Sequence, residues 1–217
     1  MARAEICKLR SESEVAVAHL AEAERAFVGG QRPVDAAKAR CWRGYLLTRA
    51  GDAEQGLPLA TAGWAMLQHA DDLGAVCRAG HDLGNVLREL GRYAESLPVF
   101  DRAIEAGDRL RAQGNTTEAI WGAVASRSGR AMSCSRLGRL DEAVAQQREA
   151  VELAVRDGNR VGEAVVRCHL ATHLLERGDP GRGDLEAAEA MAQQARKVAE
   201  DGGLSARAEK ARSVLDR

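Results

Sequence analysis

The stretch LGNVLRELGRYAESLPVFDRAIEAG, from Leu83 to Gly107, carries the clearest structural pattern in the chain. Apolar and very small residues recur every three or four positions on both sides of Gly91, which is the period of a helix buried along one face. Gly91 can take the left-handed conformation that ends a helix, so the chain can turn back antiparallel. Small residues at Gly84, Ser96 and Ala103 allow the two helices to lie close together. The stretch therefore predicts an antiparallel helix hairpin.

The same pattern occurs four times along the chain. The central glycines are Gly51, Gly91, Gly138 and Gly178, spaced 40, 47 and 40 residues apart. The fourth copy matches when five residues within DPGRGD, at 179–184, are treated as an insertion. One hairpin cannot bury its apolar face alone, so neighbouring hairpins are expected to stack into a solenoid. The predicted hairpins are at about 33–71, 72–113, 115–157 and 159–202.

Helix signals elsewhere support this division. Pro33 suits a first helical turn, and Asn115 with Glu118 three residues later resembles a capping box. An N-terminal helix over residues 3–28 and a capping helix over 204–217 complete the predicted all-α chain. The residues of the first helix predicted to face inward are Val17, Leu20 and Phe27. All 217 residues are expected to form one domain.

Composition bears on several classes of function. The net charge is −1, so no overall positive field exists to hold nucleic acid, and no direct nucleic-acid binding is expected. No run of 18 apolar residues occurs, which predicts no transmembrane helix and no membrane partner. The N-terminus lacks the apolar core of a secretory signal. The five cysteines form no C-x-x-C pair, so we expect free thiols and a cytoplasmic location.

Two segments resemble the tetratricopeptide repeat. Residues 83–107 have that family's Leu-Gly pair, turn glycine and following tyrosine, then Phe100 and Ala103. RLGRLDEAVAQQREAVELA, at 136–154, is a second match in which Gln147 replaces the aromatic residue. In length, the repeats are similar to the roughly forty-residue version of bacterial signalling ATPases and transcriptional regulators. The resemblance implies a right-handed superhelical solenoid of antiparallel hairpins that acts as a non-catalytic adaptor or regulatory module.

The family's geometry would place the first helix of each hairpin along a concave groove. The middle of this groove is polar and basic, which favours a protein or peptide partner with acidic or carboxylate groups, because guanidinium groups bind such oxygens bidentately. An equally good interpretation is that these polar residues form a solvent-exposed concave surface that binds no partner. Of the residues that carry the family's carboxylate clamp, Asn85 is present but its lysine partners are not. The predicted groove residues are Lys38, Cys41, Tyr45, Arg78, His81, Asn85, Arg88, Trp121, Ser128 and Met132.

Two other functions are alternatives to peptide binding. An enclosed apolar pocket around Trp121 and Met132 would favour a small-molecule- or peptide-responsive sensor domain of a bacterial regulator. An enzyme on this scaffold is less favoured, because no catalytic motif occurs in the sequence. Cys41 and His81 share the predicted groove and would be a nucleophile and its base. They lie on different helices, however, and the distance between packed helices is too long for the hydrogen bond that such a pair needs. No catalytic residues are therefore predicted, and the sequence is compatible with a homodimer.

One pair of histidines has the spacing of a metal site. His169 and His173 are four residues apart and so share a helical face. No second cluster of cysteine or histidine occurs to complete the ligand set, and a structural pair between packed helices is favoured. We therefore predict neither a metal nor a cofactor.

Overall fold

The computed structural model describes residues 13–203 and 205–215, and every regular element in these ranges is a helix. The third hairpin has a divided first helix, made of α6 (Thr116–Ala119), a π-helical segment (Ile120–Ser126) and α7 (Arg127–Arg136). A single 3-10 turn, Pro180–Arg182, separates α9 from α10. The other helices are α1 Ser13–Gly29, α2 Pro33–Arg49, α3 Ala53–Leu67, α4 Leu73–Glu89, α5 Tyr93–Ala112, α8 Leu140–Arg156, α9 Arg160–Arg177, α10 Asp184–Asp201 and α11 Ser205–Leu215.

The predicted all-α solenoid of antiparallel helix hairpins is confirmed. Helix α2 pairs with α3, α4 with α5, α7 with α8 and α9 with α10, so the described residues contain four such hairpins. The first part of the predicted N-terminal helix, with Cys7, and the two ends of the predicted capping helix lie outside the described residues. Within α1, Leu20 is buried, and Val17 and Phe27 pack against the same cluster.

Left-handed residues end the first helix of each hairpin. The φ angles are +94° at Gly51, +72° at Gly91, +76° at Gly138 and +58° at Gly178, so the turn glycines behave as predicted. The junction between α1 and α2 differs, because the left-handed residue there is Gln31, with φ of +53°. A side chain makes this conformation costly, so Gln31 is a strained position.

The hairpins are held together by very close helix contacts. A Cβ atom added to Gly44 on α2 would lie 2.5 Å from the Gly56 carbonyl oxygen and 2.6 Å from the Ala60 nitrogen on α3. At Gly84 on α4, the added atom would lie 2.7 Å from two atoms of the Phe100 ring. The small residues of the repeat are therefore needed where the helices meet.

Side-chain caps begin several helices, as expected for Asp and Asn before a helix. The N–H of Glu118 donates to Asn115 Oδ1 at 3.2 Å, which agrees with the predicted capping box. Pro33 occupies the first turn of α2. Helix α1 is fixed to α2 by Glu24, whose carboxylate accepts from Arg40 and Arg43 at 2.6 Å each.

Four cysteines are buried, one in the first helix of each hairpin. They are Cys41 on α2, Cys77 on α4, Cys134 on α7 and Cys168 on α9, and none of the four forms a disulfide with another described residue. Burial raises the pKa of Cys77 to about 12 and raises that of Cys41 as well, so both thiols stay protonated.

The chain divides into two compact units, residues 1–122 and 123–217. The largest fully buried side chains of the first unit include Trp42, Phe100 and Leu67. The core of the second unit contains Val144, Leu170 and Leu174. The expectation of one domain over the whole chain stays a prediction.

Candidate functional site

Four polar side chains of α4 form a stripe along one face of that helix. Arg78, His81, Asn85 and Arg88 follow one another at intervals of three, four and three residues. Such spacing keeps side chains on a single helical face. We call these four residues the α4 stripe. They all lie in the first compact unit.

Aromatic rings from the two neighbouring helical segments enclose the first residue of the stripe. The guanidinium carbon of Arg78 lies 4.1 Å from the ring centroid of Trp121 and 4.7 Å from that of Trp42. His81 lies against Trp121 with ring centroids 5.2 Å apart and planes tilted by 50°. Trp42 comes from α2 and Trp121 from the π-helical segment. We call Trp42, Arg78, Trp121 and His81 the Arg78 stack.

The π-helical segment reaches this position because it carries a glycine. A Cβ atom added to Gly122 would lie 2.6 Å from Cys77 Sγ on α4 and 2.9 Å from the Gly107 Cα on α5. With only hydrogen at this position, the segment can lie directly against both helices. Trp121, the preceding residue, is thereby held beside α4.

The cations of the predicted groove already have carboxylate neighbours. Lys38 Nζ lies 2.9 Å from Asp72 Oδ2 and 3.7 Å from Asp35 Oδ1. Burial favours the neutral acid at Asp72, but hydrogen bonds from Lys38 and from the Ala75 N–H outweigh it and lower the pKa of Asp72. The charge of Lys38 is therefore balanced within the protein.

Arg88 and Asn85 are tied to one another and to their own helix. Arg88 donates to Asn85 Oδ1 at 3.2 Å and to Glu89 Oε1 at 2.8 Å. The Asn85 amide donates to the His81 carbonyl oxygen at 2.9 Å, and Asn85 itself is buried. Arg88 and Asn85 therefore have less hydrogen-bonding capacity left for a partner than the sequence alone indicates.

Tyr45 borders the stripe from α2. Its side chain is half-buried, and burial raises the pKa of its hydroxyl. The guanidinium carbon of Arg49 lies 5.9 Å from the ring centroid, and its positive charge opposes this rise in the pKa. The phenol thus stays neutral.

Two predicted groove residues are buried between helices, which corrects the expectation that they line an open surface. Cys41 is 0% exposed, and its Sγ donates to the Ala60 carbonyl oxygen at 3.4 Å inside the first hairpin. Ser128 on α7 is buried and lies 2.9 Å from His169 Nδ1 on α9. Met132 is half-buried on α7, in the second compact unit.

The two histidines of α9 take part in separate side-chain contacts. His169 pairs with Ser128, whereas His173 Nδ1 lies 3.4 Å from Glu176 Oε2. Ser135 on α7 donates to the same carboxylate oxygen. Among the described residues, no group of three His, Cys, Asp or Glu side chains is arranged to hold a metal ion. These contacts join α7 to α9.

Sequence reasoning missed three side chains that shape the site: Trp42, Arg49 and Asp82. Asp82 Oδ2 accepts from Arg78 Nε at 3.3 Å, and the four-residue spacing of this pair is a signal that the sequence contains. Trp42 directly follows Cys41 in the sequence. Its contact with Arg78 depends on how the hairpins stack, and this cannot be predicted from the spacing of residues within one helix.

Comparisons with known proteins agree with the repeat pattern. Models of the tetratricopeptide repeat match residues 76–110 and 127–154. No curated protein matches the chain. Within the described ranges, no helix combines the length and apolar character needed to cross a membrane.

Several solved structures share the fold. BtubC (BKLC) from P. vanneervenii superposes with a TM-score of 0.68 at 17% identity, covering 94% of this chain and 89% of that one. MamA (41–end) from Desulfovibrio magneticus RS-1 superposes with a TM-score of 0.56 at 14% identity, covering 91% and 92%. The MamA RS-1 ArsTM double mutant superposes with a TM-score of 0.56 at 14% identity, covering 92% of each chain. At such identities the likeness concerns the fold alone.

Proposed function

We propose that this chain, with its two tetratricopeptide-repeat segments, is a non-catalytic protein-interaction module that binds an extended segment of another protein along the α4 stripe. The observation that carries this proposal is the Arg78 stack, which holds a partly exposed arginine and a half-buried tryptophan in one fixed arrangement. Tryptophan, tyrosine and arginine dominate the binding energy of protein interfaces, and fixed side chains lose little entropy on binding.

The chemistry of the partner follows from the pairing of the cations. The charges of Lys38 and Arg88 are balanced by Asp72 and Glu89, so a broad positive field along the groove is not the attraction. Recognition should rest on individual hydrogen bonds and on ring contacts with Trp121. An adaptor or regulatory role in the cytoplasm of a bacterium, on the long form of the repeat, is the biological setting we propose. The buried, reduced cysteines suit that compartment.

Affinity capture tests the proposal when the full chain is used as bait and matched variants are compared. Trp121→Ala and His81→Ala remove partly exposed side chains of the Arg78 stack. Arg148→Ala is the control, because Arg148 is exposed on α8. We expect the same captured partner to be lost severalfold from both stack variants and retained by the control, with melting curves confirming that each variant is folded. Equal capture by all three variants would place the binding surface elsewhere.

A further inference from the structure

We infer that Arg78 is the receptor for a carboxylate side chain of the bound segment, and that Arg88 and Lys38 are not. This inference rests on the proposed function and names the chemistry that the site recognises. The observation behind it is the distribution of hydrogen bonds among the three cations of the site.

Arg78 is immobilised without being saturated. Its flat guanidinium is enclosed by the indoles of Trp42 and Trp121, and its Nε donates to Asp82. The two Nη nitrogens of Arg78 donate to no acceptor within the described residues, and the side chain is 17% exposed. Both nitrogens therefore keep their hydrogen-bonding capacity on a partly exposed planar group, which is the arrangement that binds a carboxylate bidentately.

The other two cations lack this arrangement. Lys38 is a point charge without a planar fork and is shared between Asp72 and Asp35. Arg88 uses Nε on Asn85 and Nη2 on Glu89. Arg88 therefore has only part of its guanidinium left for a partner, and the charge of Lys38 is already shared between two carboxylates, so each gains less from a further carboxylate than Arg78 does.

The neighbouring acid disfavours highly charged anions. Asp82 is 1% exposed, and its carboxylate accepts from Arg78 Nε, so the Arg78–Asp82 pair carries no net charge. The cost of removing an anion from water rises with the square of its charge, whereas its attraction to Arg78 rises only in proportion to that charge. A doubly charged phosphate therefore pays a larger desolvation cost at this neutral pair than a carboxylate does, which favours aspartate or glutamate over a phosphorylated residue.

Selection from a displayed library of random heptapeptides on the full chain tests this inference. Each selected peptide is measured against wild type, Arg78→Lys, the same change at Arg88 on the stripe, and the control Arg148→Lys on α8, where the arginine is exposed. The Asp or Glu of each peptide is also replaced by Asn or Gln, so the test does not depend on a protein variant alone.

We expect selected peptides to contain an acidic residue whose amide replacement weakens binding to wild type about tenfold or more. Arg78→Lys should cause a similar loss, and the peptide replacement should then add little, because the two changes remove the same contact. Arg88→Lys should weaken binding less than about threefold. Thermal melts of all variants establish that they are folded.

Three results would overturn the inference. Peptides that depend on His81 and Trp121 but tolerate Arg78→Lys, or tolerate loss of their carboxylate, would refute it and leave the proposed function standing. Tighter binding after phosphoserine replaces the acidic residue would refute the choice of carboxylate over phosphate. A library that yields no peptide dependent on His81, Trp121 or Arg78 would refute the inference and the proposed function together.

Discussion

Replacing Gly44 by alanine should destabilise the first compact unit. The added Cβ would lie 2.5 Å from the Gly56 carbonyl oxygen and 2.6 Å from the Ala60 nitrogen. Ordinary contact begins near 3.4 Å, so α2 and α3 must separate by about 0.9 Å. Both opposing atoms belong to the backbone of α3 and cannot rotate away, unlike the end of a side chain.

The magnitude follows from two opposing effects. Overpacking of this kind costs about 1–3 kcal/mol, and a backbone clash belongs at the upper end of that range. Alanine regains about 0.5–1 kcal/mol over glycine through its greater helix propensity. The net loss in the free energy of unfolding should be about 2 kcal/mol, which corresponds to a fall in Tm of about 4–8 °C for a chain of this size.

Tryptophan fluorescence is the natural assay, because all three tryptophans, Trp42, Trp64 and Trp121, lie in the first unit. Gly29→Ala is the matched control, since no atom lies within 4 Å of a Cβ added there. Gly84→Ala should give an intermediate loss, because its new Cβ meets the Phe100 ring and not backbone. Equal melting temperatures of Gly44→Ala and Gly29→Ala would refute a close backbone contact at Gly44.

Three further changes test other features. Gln31→Gly should raise the free energy of unfolding by about 1 kcal/mol in urea melts, because glycine has no penalty at a positive φ, and an unchanged midpoint would contradict the assignment of strain. Gln147→Leu should stabilise the second unit by about 1 kcal/mol, since Oε1 of this buried amide has no hydrogen-bond partner among the described residues. A lower Tm by circular dichroism would show that the hydrogen bond from Gln147 Nε2 to the Val166 carbonyl oxygen contributes more to stability than the unpaired Oε1 costs. Burial lowers the pKa of His173, so the unfolded chain binds the extra proton first and stability should fall as the pH drops below about 6.5. His173→Leu should flatten that slope between pH 7 and 5.5 in urea melts, and an unchanged slope would assign it to other groups.

The sequence predicts the fold well because backbone geometry leaves few choices at the residues that carry the pattern. The positive φ at Gly91 and the close backbone contact at Gly44 both favour a residue without a Cβ atom. A glycine in the repeat pattern therefore predicts a helix end or a close helix contact. The burial of Cys41 is harder to predict from the sequence. Counting residues places a side chain on one face of a helix, but it does not show what packs against that face. In the structure, its Sγ occupies the position where Gly63 on α3 lacks a Cβ.

The candidate site is harder to predict, since its decisive contacts join residues far apart in sequence. Lys38 and Asp72 are 34 positions apart and meet only because α2 and α4 are neighbours. The π-helical segment Ile120–Ser126 departs from the 3.6-residue period on which the counting relies. The polarity of the α4 stripe could therefore be predicted, but the pairing of Lys38 with Asp72 and the packing of Trp42 and Trp121 on Arg78 could not.

The placement of the cysteines makes each hairpin measurable by chemistry. Cys41, Cys77, Cys134 and Cys168 lie in four successive hairpins, and all four are closed to solvent. An alkylating reagent can modify such a thiol only when its hairpin opens, so the rate of modification at each site measures the local opening free energy. Mass spectrometry of partly labelled chains would then rank the four hairpins by stability within the intact protein. Each of the four hairpins thus contains a buried thiol whose rate of alkylation reports the stability of that hairpin.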